Sequence, residues 1–167
     1  MPESRGQQAG ARLRAAVEHL LATVAPLPAD LITWQPAPNV WSVMDNLCHV
    51  QEFIPYWTSQ ALNVVSHPGE TWGRDHTNAD RLAAVTATSA RRLPDVVSAI
   101  RQAAAASADA LARLSDADLD AEGPSRNPRF GVKPAHFIVD DLLIGHVEKH
   151  VGQIARNVAH HQQQGQQ

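Results

Sequence analysis

The sequence predicts an all-α protein, a four-helix bundle in a single domain that spans residues 1–167. Three observations support this. Alanine, the residue that loses least side-chain entropy in a helix, is abundant. Four segments of about 18–26 residues carry apolar side chains at the i, i+3, i+4, i+7 spacing of an amphipathic helix. No segment has a convincing strand pattern, and no linker is long enough to separate two domains. Helices of this kind bury their apolar faces against one another.

The first predicted helix runs from about Gln8 to Ala25, with its apolar residues on one face. Pro26 and Pro28 end it, because proline cannot donate a helical hydrogen bond. The proline-rich stretch that follows holds Trp34 and Trp41. We expect an irregular connection that packs both tryptophans on the bundle.

The second helix begins after Ser42, a favourable N-cap residue, and runs to about Ser66. Asp45 lies in its first turn, where a carboxylate meets the positive end of the helix dipole. Pro55 lies inside this helix and is expected to kink it.

The third helix spans roughly Arg91 to Leu114, after a loop with a possible short helix at Arg81–Thr86. The fourth opens at Pro134, a good first helical residue, and runs to about Ala159. The glutamine-rich tail from about residue 160 is expected to be disordered. All three connections exceed a dozen residues, so tight up-down hairpins are not required.

Composition narrows the function classes. The net charge is -3 and the basic residues form no single stripe, which argues against nucleic acid as a partner. No apolar run reaches the roughly 18 residues that a membrane span needs, and the N-terminus lacks an apolar signal-peptide core. The one cysteine, Cys48, fits a reducing cytoplasm. We therefore expect a cytoplasmic protein that acts on a small molecule.

Nine histidines are the unusual feature of the composition. His146 and His150 are four residues apart, so they project within about 40° of each other on one helix face. Two imidazoles at this spacing can bind one metal ion. The same face continues with Gln153 and Asn157, so an apolar stripe becomes polar along its length. Two structural or surface histidines remain the alternative, which spacing alone does not exclude.

Two known metal motifs do not fit. A zincin needs glutamate directly after the first histidine, but Val147 stands there and Glu148 points away from that face. Di-iron bundles use Glu-x-x-His, which does not occur in this chain. A third ligand must come from another helix. His49 is the candidate, although it lies about 100° from the centre of its helix's apolar stripe and taken alone favours a structural role.

Two stretches of the sequence resemble the DinB/YfiT-like family. PAPNVWSVMDNLCHV resembles the family signature, a Trp-Ser pair opening a helix with a histidine eight residues after the tryptophan. GHVEKHVGQI resembles the second element, H-x-x-x-H followed by Gln-Ile. The first and third helices match in position, so the resemblance covers nearly the whole chain.

The resemblance implies an up-down-down-up four-helix bundle that is commonly a homodimer. It also implies a divalent metal held by three histidines, which map onto His49, His146 and His150. The metal could be Zn, Ni, Fe or Mn. Family members include metal-dependent transferases and isomerases that use a low-molecular-weight thiol such as bacillithiol or mycothiol, and others described as metal-dependent hydrolases.

Three ligands would leave one metal position open, as catalytic sites require. An open position can activate water for hydrolysis or bind a thiol as the thiolate for transfer. The leading hypothesis is therefore a metal-dependent enzyme of the thiol-dependent S-transferase, isomerase or hydrolase type. The alternatives are a non-catalytic metal- or small-molecule-binding dimer in stress response and a purely structural dimerisation bundle.

Four other residues near these histidines are given modest roles. Trp41 and Trp57 are expected to be packing residues that could also wall a pocket. Gln153 could line the pocket. Glu52, three residues after His49, could act as an acid or base, but a solvated position is favoured.

Overall fold

A computed structural model describes residues 2–165, which form a four-helix bundle. Its long helices surround a core of fully buried aliphatic side chains that includes Leu13, Leu47, Ile100 and Ile154. A 3₁₀ turn precedes the third long helix. A π-helical segment connects a short helical turn to the last long helix, so the turn, the π segment and that helix form one continuous helix. The elements are α1 (Arg5–Val24), α2 (Ala29–Thr33), α3 (Val43–Ser66), α4 (Ala79–Ala83), the 3₁₀ turn (Thr88–Ala90), α5 (Leu93–Ala112), α6 (Asp116–Leu119), β1 (Glu122–Pro124), β2 (Val132–Pro134), α7 (Ala135–Phe137), the π segment (Ile138–Ile144) and α8 (Gly145–Gln164).

Helices α1 and α5 pack antiparallel. Arg14 near the middle of α1 pairs with Asp109 at 2.5 Å, and Glu18 one turn later pairs with Arg101 at 3.2 Å. As residue numbers rise along α1, those of its partners fall along α5. The two helices therefore run in opposite directions.

The last helix runs parallel to α1 and antiparallel to α3. Arg12 pairs with Asp140 at 2.7 Å and His19 lies 3.4 Å from Glu148, so numbers rise together along α1 and the last helix. Between α3 and the last helix the residue numbers run in opposite directions, because Trp41 contacts Asn157 and Asn46 contacts His150. The order of directions is up-down-down-up, as predicted. Since α3 and α5 are then parallel, residues 67–92 have to travel back along the bundle.

A small antiparallel hairpin contradicts the expectation that no strand is present. Strands β1 and β2 pair over three residues each, and Trp72 is anchored to this hairpin. Its indole donates to the Gly123 carbonyl at 2.7 Å, and its backbone N–H donates to the Pro124 carbonyl. A Cβ at Gly123 would lie 2.5 Å from the Glu70 carbonyl oxygen, so only glycine permits this approach.

Helix α3 begins where the sequence predicted, whereas the last helix ends later than predicted. Ser42 caps α3, and its side chain and that of Asp45 each accept from the other's backbone N–H. The expectation of a disordered tail from about residue 160 is wrong for the described residues, because α8 continues to Gln164. His161 packs edge-on against Trp34, with ring centroids 5.1 Å apart. Residues 166 and 167 of that tail lie outside the described part.

Within residues 2–165, no helix combines the length and the apolar character needed to cross a membrane.

Close packing of α1 on α5 generates a first prediction. A Cβ at Gly10 would lie 2.6 Å from the Ala108 carbonyl oxygen, a backbone atom that cannot move aside alone. Gly10→Ala is expected to lower the free energy of unfolding by about 1–3 kcal/mol, because overpacking outweighs the gain in helix propensity. Urea denaturation followed by circular dichroism measures this.

Gly152→Ala is the matched control. A Cβ there meets only the end of the Arg156 side chain, at 3.6 Å. This variant should be stabilised by about 0.5–1 kcal/mol through helix propensity alone. Equal shifts in the two variants would contradict the proposed close contact.

Candidate metal centre

The three histidines singled out in the sequence lie together. His49 comes from α3, and His146 and His150 come from α8. Each offers one ring nitrogen, and these nitrogens all lie within 4.8 Å of one another. Tetrahedral zinc with bonds of about 2.0–2.1 Å needs nitrogens about 3.4 Å apart. The side chains would have to close in slightly to share an ion.

The imidazoles are enclosed by aromatic rings. His49 and His150 are both 2% exposed, and His146 is half-buried. Trp41 stacks on His150 with ring planes 11° apart and meets the His49 ring edge-on. Phe53 lies beneath, with its centroid 4.1 Å from that of His146. Trp41 thus has the packing role expected of it and also lines the site.

Burial keeps all three imidazoles neutral at ordinary pH. Loss of hydration lowers the pKa of His49 to about 2, of His146 to about 4 and of His150 to about 3. The cations Lys149, Arg81 and Arg74 act in the same direction, and protonation of one imidazole would disfavour protonation of the next. A neutral imidazole has a free lone pair, which is what a metal ion requires.

Asn46 fixes the tautomer of His150. The Asn46 Nδ2 donates to the Ser42 carbonyl at 2.8 Å, which leaves its Oδ1 facing His150 Nδ1 at 2.7 Å. An amide oxygen only accepts, so Nδ1 of His150 must carry the proton. The lone pair is then on Nε2. Hydrogen bonds of this kind orient the histidine ligands of metal sites.

His49 is oriented less completely. Its Nδ1 is a buried polar atom with no hydrogen-bond partner among the described residues. The carboxylate of Glu52 lies close by, with its Oε2 3.9 Å from that nitrogen. Glu52 in turn receives two bonds of 2.6 Å from Arg74, whose side chain is only 6% exposed and covers the Tyr56 ring. Glu52 is therefore held in an ion pair, with only 20% of its side chain exposed. The sequence had favoured a solvated position instead.

These features fit a divalent metal. The donor set is three neutral imidazoles, a type of ligand that suits Zn, Ni, Cu and Fe. One of them carries a buried nitrogen without a partner, and such atoms need an explanation. A second is aligned by Asn46 so that its free nitrogen is available. Three protein ligands would leave further coordination positions for a small molecule.

Two cavities open beside the histidines. The larger has a volume of about 490 Å³ and is lined on one side by the α8 face that carries His146, His150 and Gln153. Gln153 thus has the pocket position suggested for it. The smaller, of about 250 Å³, shares His49 and His146 with the first and is walled by Trp57. The larger volume is typical of pockets that hold small molecules.

The π segment Ile138–Ile144 directly precedes His146. It ends at Gly145, whose N–H donates to the Asp140 carbonyl five residues earlier. A Cβ at Gly145 would lie 2.9 Å from that carbonyl oxygen. π-Helical turns are frequent at functional sites, where they reset the rotation of the helix that follows.

Sequence reasoning missed the supporting residues. Asn46 and Arg74 act on His150 and Glu52 across gaps of 104 and 22 residues, and no local motif signals such pairs. Cys48 is buried, and burial raises the pKa of its thiol.

The fold and the site together define a helical bundle with a candidate three-histidine metal centre. The family model of the DinB superfamily matches residues 12–154, so the chain belongs to that superfamily. Among solved structures, the chain is similar to YfiT from Bacillus subtilis, described as a probable metal-dependent hydrolase with an unusual four-helix bundle topology. The TM-score is 0.77 at 8% sequence identity, covering 94% of this chain and 87% of that one. No curated protein matches the sequence significantly.

The role of Asn46 generates a second prediction. Asn46→Leu keeps the branched shape and the number of side-chain heavy atoms but removes the acceptor that holds His150 Nδ1–H. We expect zinc affinity to fall by about 10–100-fold, the usual cost of losing such a partner. Competition with a chromophoric chelator measures the affinity, and ¹H–¹⁵N NMR of the metal-free protein should show loss of the fixed tautomer.

Asn63→Leu, also on α3, is the control because the Asn63 side chain is remote from the histidines in sequence and helix position. It should bind zinc as the wild type does. Unchanged zinc affinity in Asn46→Leu would refute the orienting role of this hydrogen bond.

Proposed function

We propose that this protein is a divalent-metal-dependent enzyme that acts on a small molecule, by hydrolysis or by transfer of a thiol. The observation that carries the proposal is the convergence of three neutral imidazoles, two buried and one half-buried, at the wall of a cavity of about 490 Å³. His49, His146 and His150 would hold the metal. When bound, such a metal supplies a Lewis acid and lowers the pKa of a coordinated group.

The chain's own residues prepare the site for this chemistry. Asn46 holds His150 in one tautomer, so the lone pair of its Nε2 is available to a metal ion. Trp41 and Phe53 pack against the imidazole rings and restrict their movement. Glu52 is the acidic group nearest to His49 and is kept in place by Arg74. Glu52 is suited to accept from His49 Nδ1–H once that ring is fixed.

A purely structural bundle is the weaker alternative. Burying imidazole nitrogens without partners costs stability, typically about 1–3 kcal/mol for each unsatisfied group. A chain selected only for packing would place aliphatic residues at these positions, as it does at the neighbouring Leu47 and Val50. A non-catalytic metal- or small-molecule-binding protein has the same site and is distinguished by assay.

Metal binding is tested on His150→Ala. We expect the wild type to hold about one divalent ion per chain and the variant to lose most of it, because one of three ligands is gone. Helicity by circular dichroism should not change, since four apolar helix faces carry the fold. Elemental analysis after dialysis measures the metal.

His160→Ala is the matched control, because this exposed histidine lies on the same helix away from the cluster. Full metal content in His150→Ala would show that the ligand assignment is wrong. Unfolding of His150→Ala at room temperature would indicate a structural staple instead of a catalytic site.

The reaction type is tested on the metal-loaded protein with a panel of esters, amides and electrophiles, each with and without bacillithiol, mycothiol or glutathione. Turnover without thiol supports hydrolysis, and turnover only with thiol supports transfer. Absence of any turnover that depends on His150 would favour the non-catalytic alternative. The homodimer implied by the family resemblance stays a prediction, which sedimentation of this 18.1 kDa chain can test.

A further inference from the structure

The larger cavity is strongly basic although the whole chain is acidic. Arg81, Lys149 and Arg156 line it, and no acidic residue does so among the described residues. The chain as a whole has a net charge of -3, so this concentration of positive charge is local. A positive cavity next to a metal site needs a compensating negative charge.

The three cations lack acidic partners. None of them forms an ion pair with any residue in the range 2–165, whereas Arg5, Arg12, Arg14, Arg74 and Arg101 all do so. Arg81 donates to the His76 carbonyl at 3.0 Å through one nitrogen. A guanidinium has five N–H donors, so most of those on Arg81 remain available to a ligand.

The three cations line the same cavity as the histidines. Lys149 and Arg156 are seven residues apart on α8, about 10 Å along the axis and about 20° apart around it, and His150 and Gln153 between them line the same cavity. Arg81 approaches from α4. A ligand that fills the cavity therefore meets positive charge at both ends of the α8 face.

The metal adds to this imbalance. Three neutral imidazoles leave the charge of a divalent ion uncompensated, and Glu52, the nearest carboxylate, is already paired with Arg74. Arg81 is half-buried, whereas Lys149 and Arg156 are exposed, so water screens part of this positive charge. An anionic ligand that enters the cavity would compensate the rest.

We infer that the molecule bound in this cavity is a small organic anion, carrying carboxylate or phosphate groups that contact Arg81, Lys149 and Arg156. The inference rests on the proposed function for what happens to that anion at the metal. Its recognition by the cations is independent of the metal and can be measured without it. Selectivity for charge is expected from the arginine fork and the lysine point charge.

The test is isothermal titration of the metal-free protein with succinate, with inorganic phosphate and with succinamide, the neutral analogue of succinate. We expect at least one anion to bind and succinamide not to bind. Lys149→Gln and Arg156→Gln should each weaken anion binding by about tenfold, as loss of a charge-assisted hydrogen bond predicts. Both side chains are exposed on α8, so neither variant should unfold.

Arg113→Gln is the matched control, an exposed arginine outside this cavity, and it should bind anions as the wild type does. A higher salt concentration should weaken anion binding. Equal affinity for succinate and succinamide, wild-type affinity in both α8 variants, or no binding of either anion would each overturn the inference. Metal content, measured separately, reports on the proposed function, so the two can fail independently.

Discussion

The antiparallel contact between the first turns of α3 and the last helix is the constraint on which the site depends. Asn157 donates to the Trp41 carbonyl at 2.8 Å, and two turns away Asn46 accepts from His150 at 2.7 Å. These two bonds fix the register of the helices. A slip of one turn would move the facing residues by about 5.4 Å, which is enough to separate His49 from the pair on α8. The candidate metal centre is therefore a property of the packing and not of either helix alone.

This contact places polar groups where the rest of the bundle places aliphatic ones. All of residues 43–50 are buried, because the connection that ends in Trp41 covers the side of α3 that would otherwise face solvent. Enclosure of polar side chains costs free energy unless partners are provided. Asn46 and Asp45 have partners, whereas His49 Nδ1 lacks one within the described chain. A conflict between burial and bonding at a single position is typical of functional sites.

The sequence predicted what depends on local pattern. Four apolar stripes predicted the long helices, and the spacing of His146 and His150 predicted a shared face, because both are properties of one helix. Helical periodicity placed His49 off the apolar stripe of its helix. That approach assumes that only one side of a helix is buried, whereas residues 43–50 of α3 are all buried. The hairpin was missed because its three-residue strands contain glycine and proline and gain stability from Trp72, far away in sequence. Pairs such as Arg74 with Glu52 depend on tertiary register and leave no local signal.

One helix face combines the two kinds of recognition that the proposals require. The two ligand histidines and three other polar residues follow one another along α8 and all line the larger cavity: His146, Lys149, His150, Gln153 and Arg156. The rotation of this face is set immediately upstream by the π segment, whose i→i+5 hydrogen bonds accommodate one extra residue relative to an α-helix. Removing that extra residue would rotate α8 by about 100° and carry the imidazoles and the cations away from the cavity together. The proposed metal site and the proposed anion site thus depend on one backbone irregularity for their orientation, although their side chains are chemically independent.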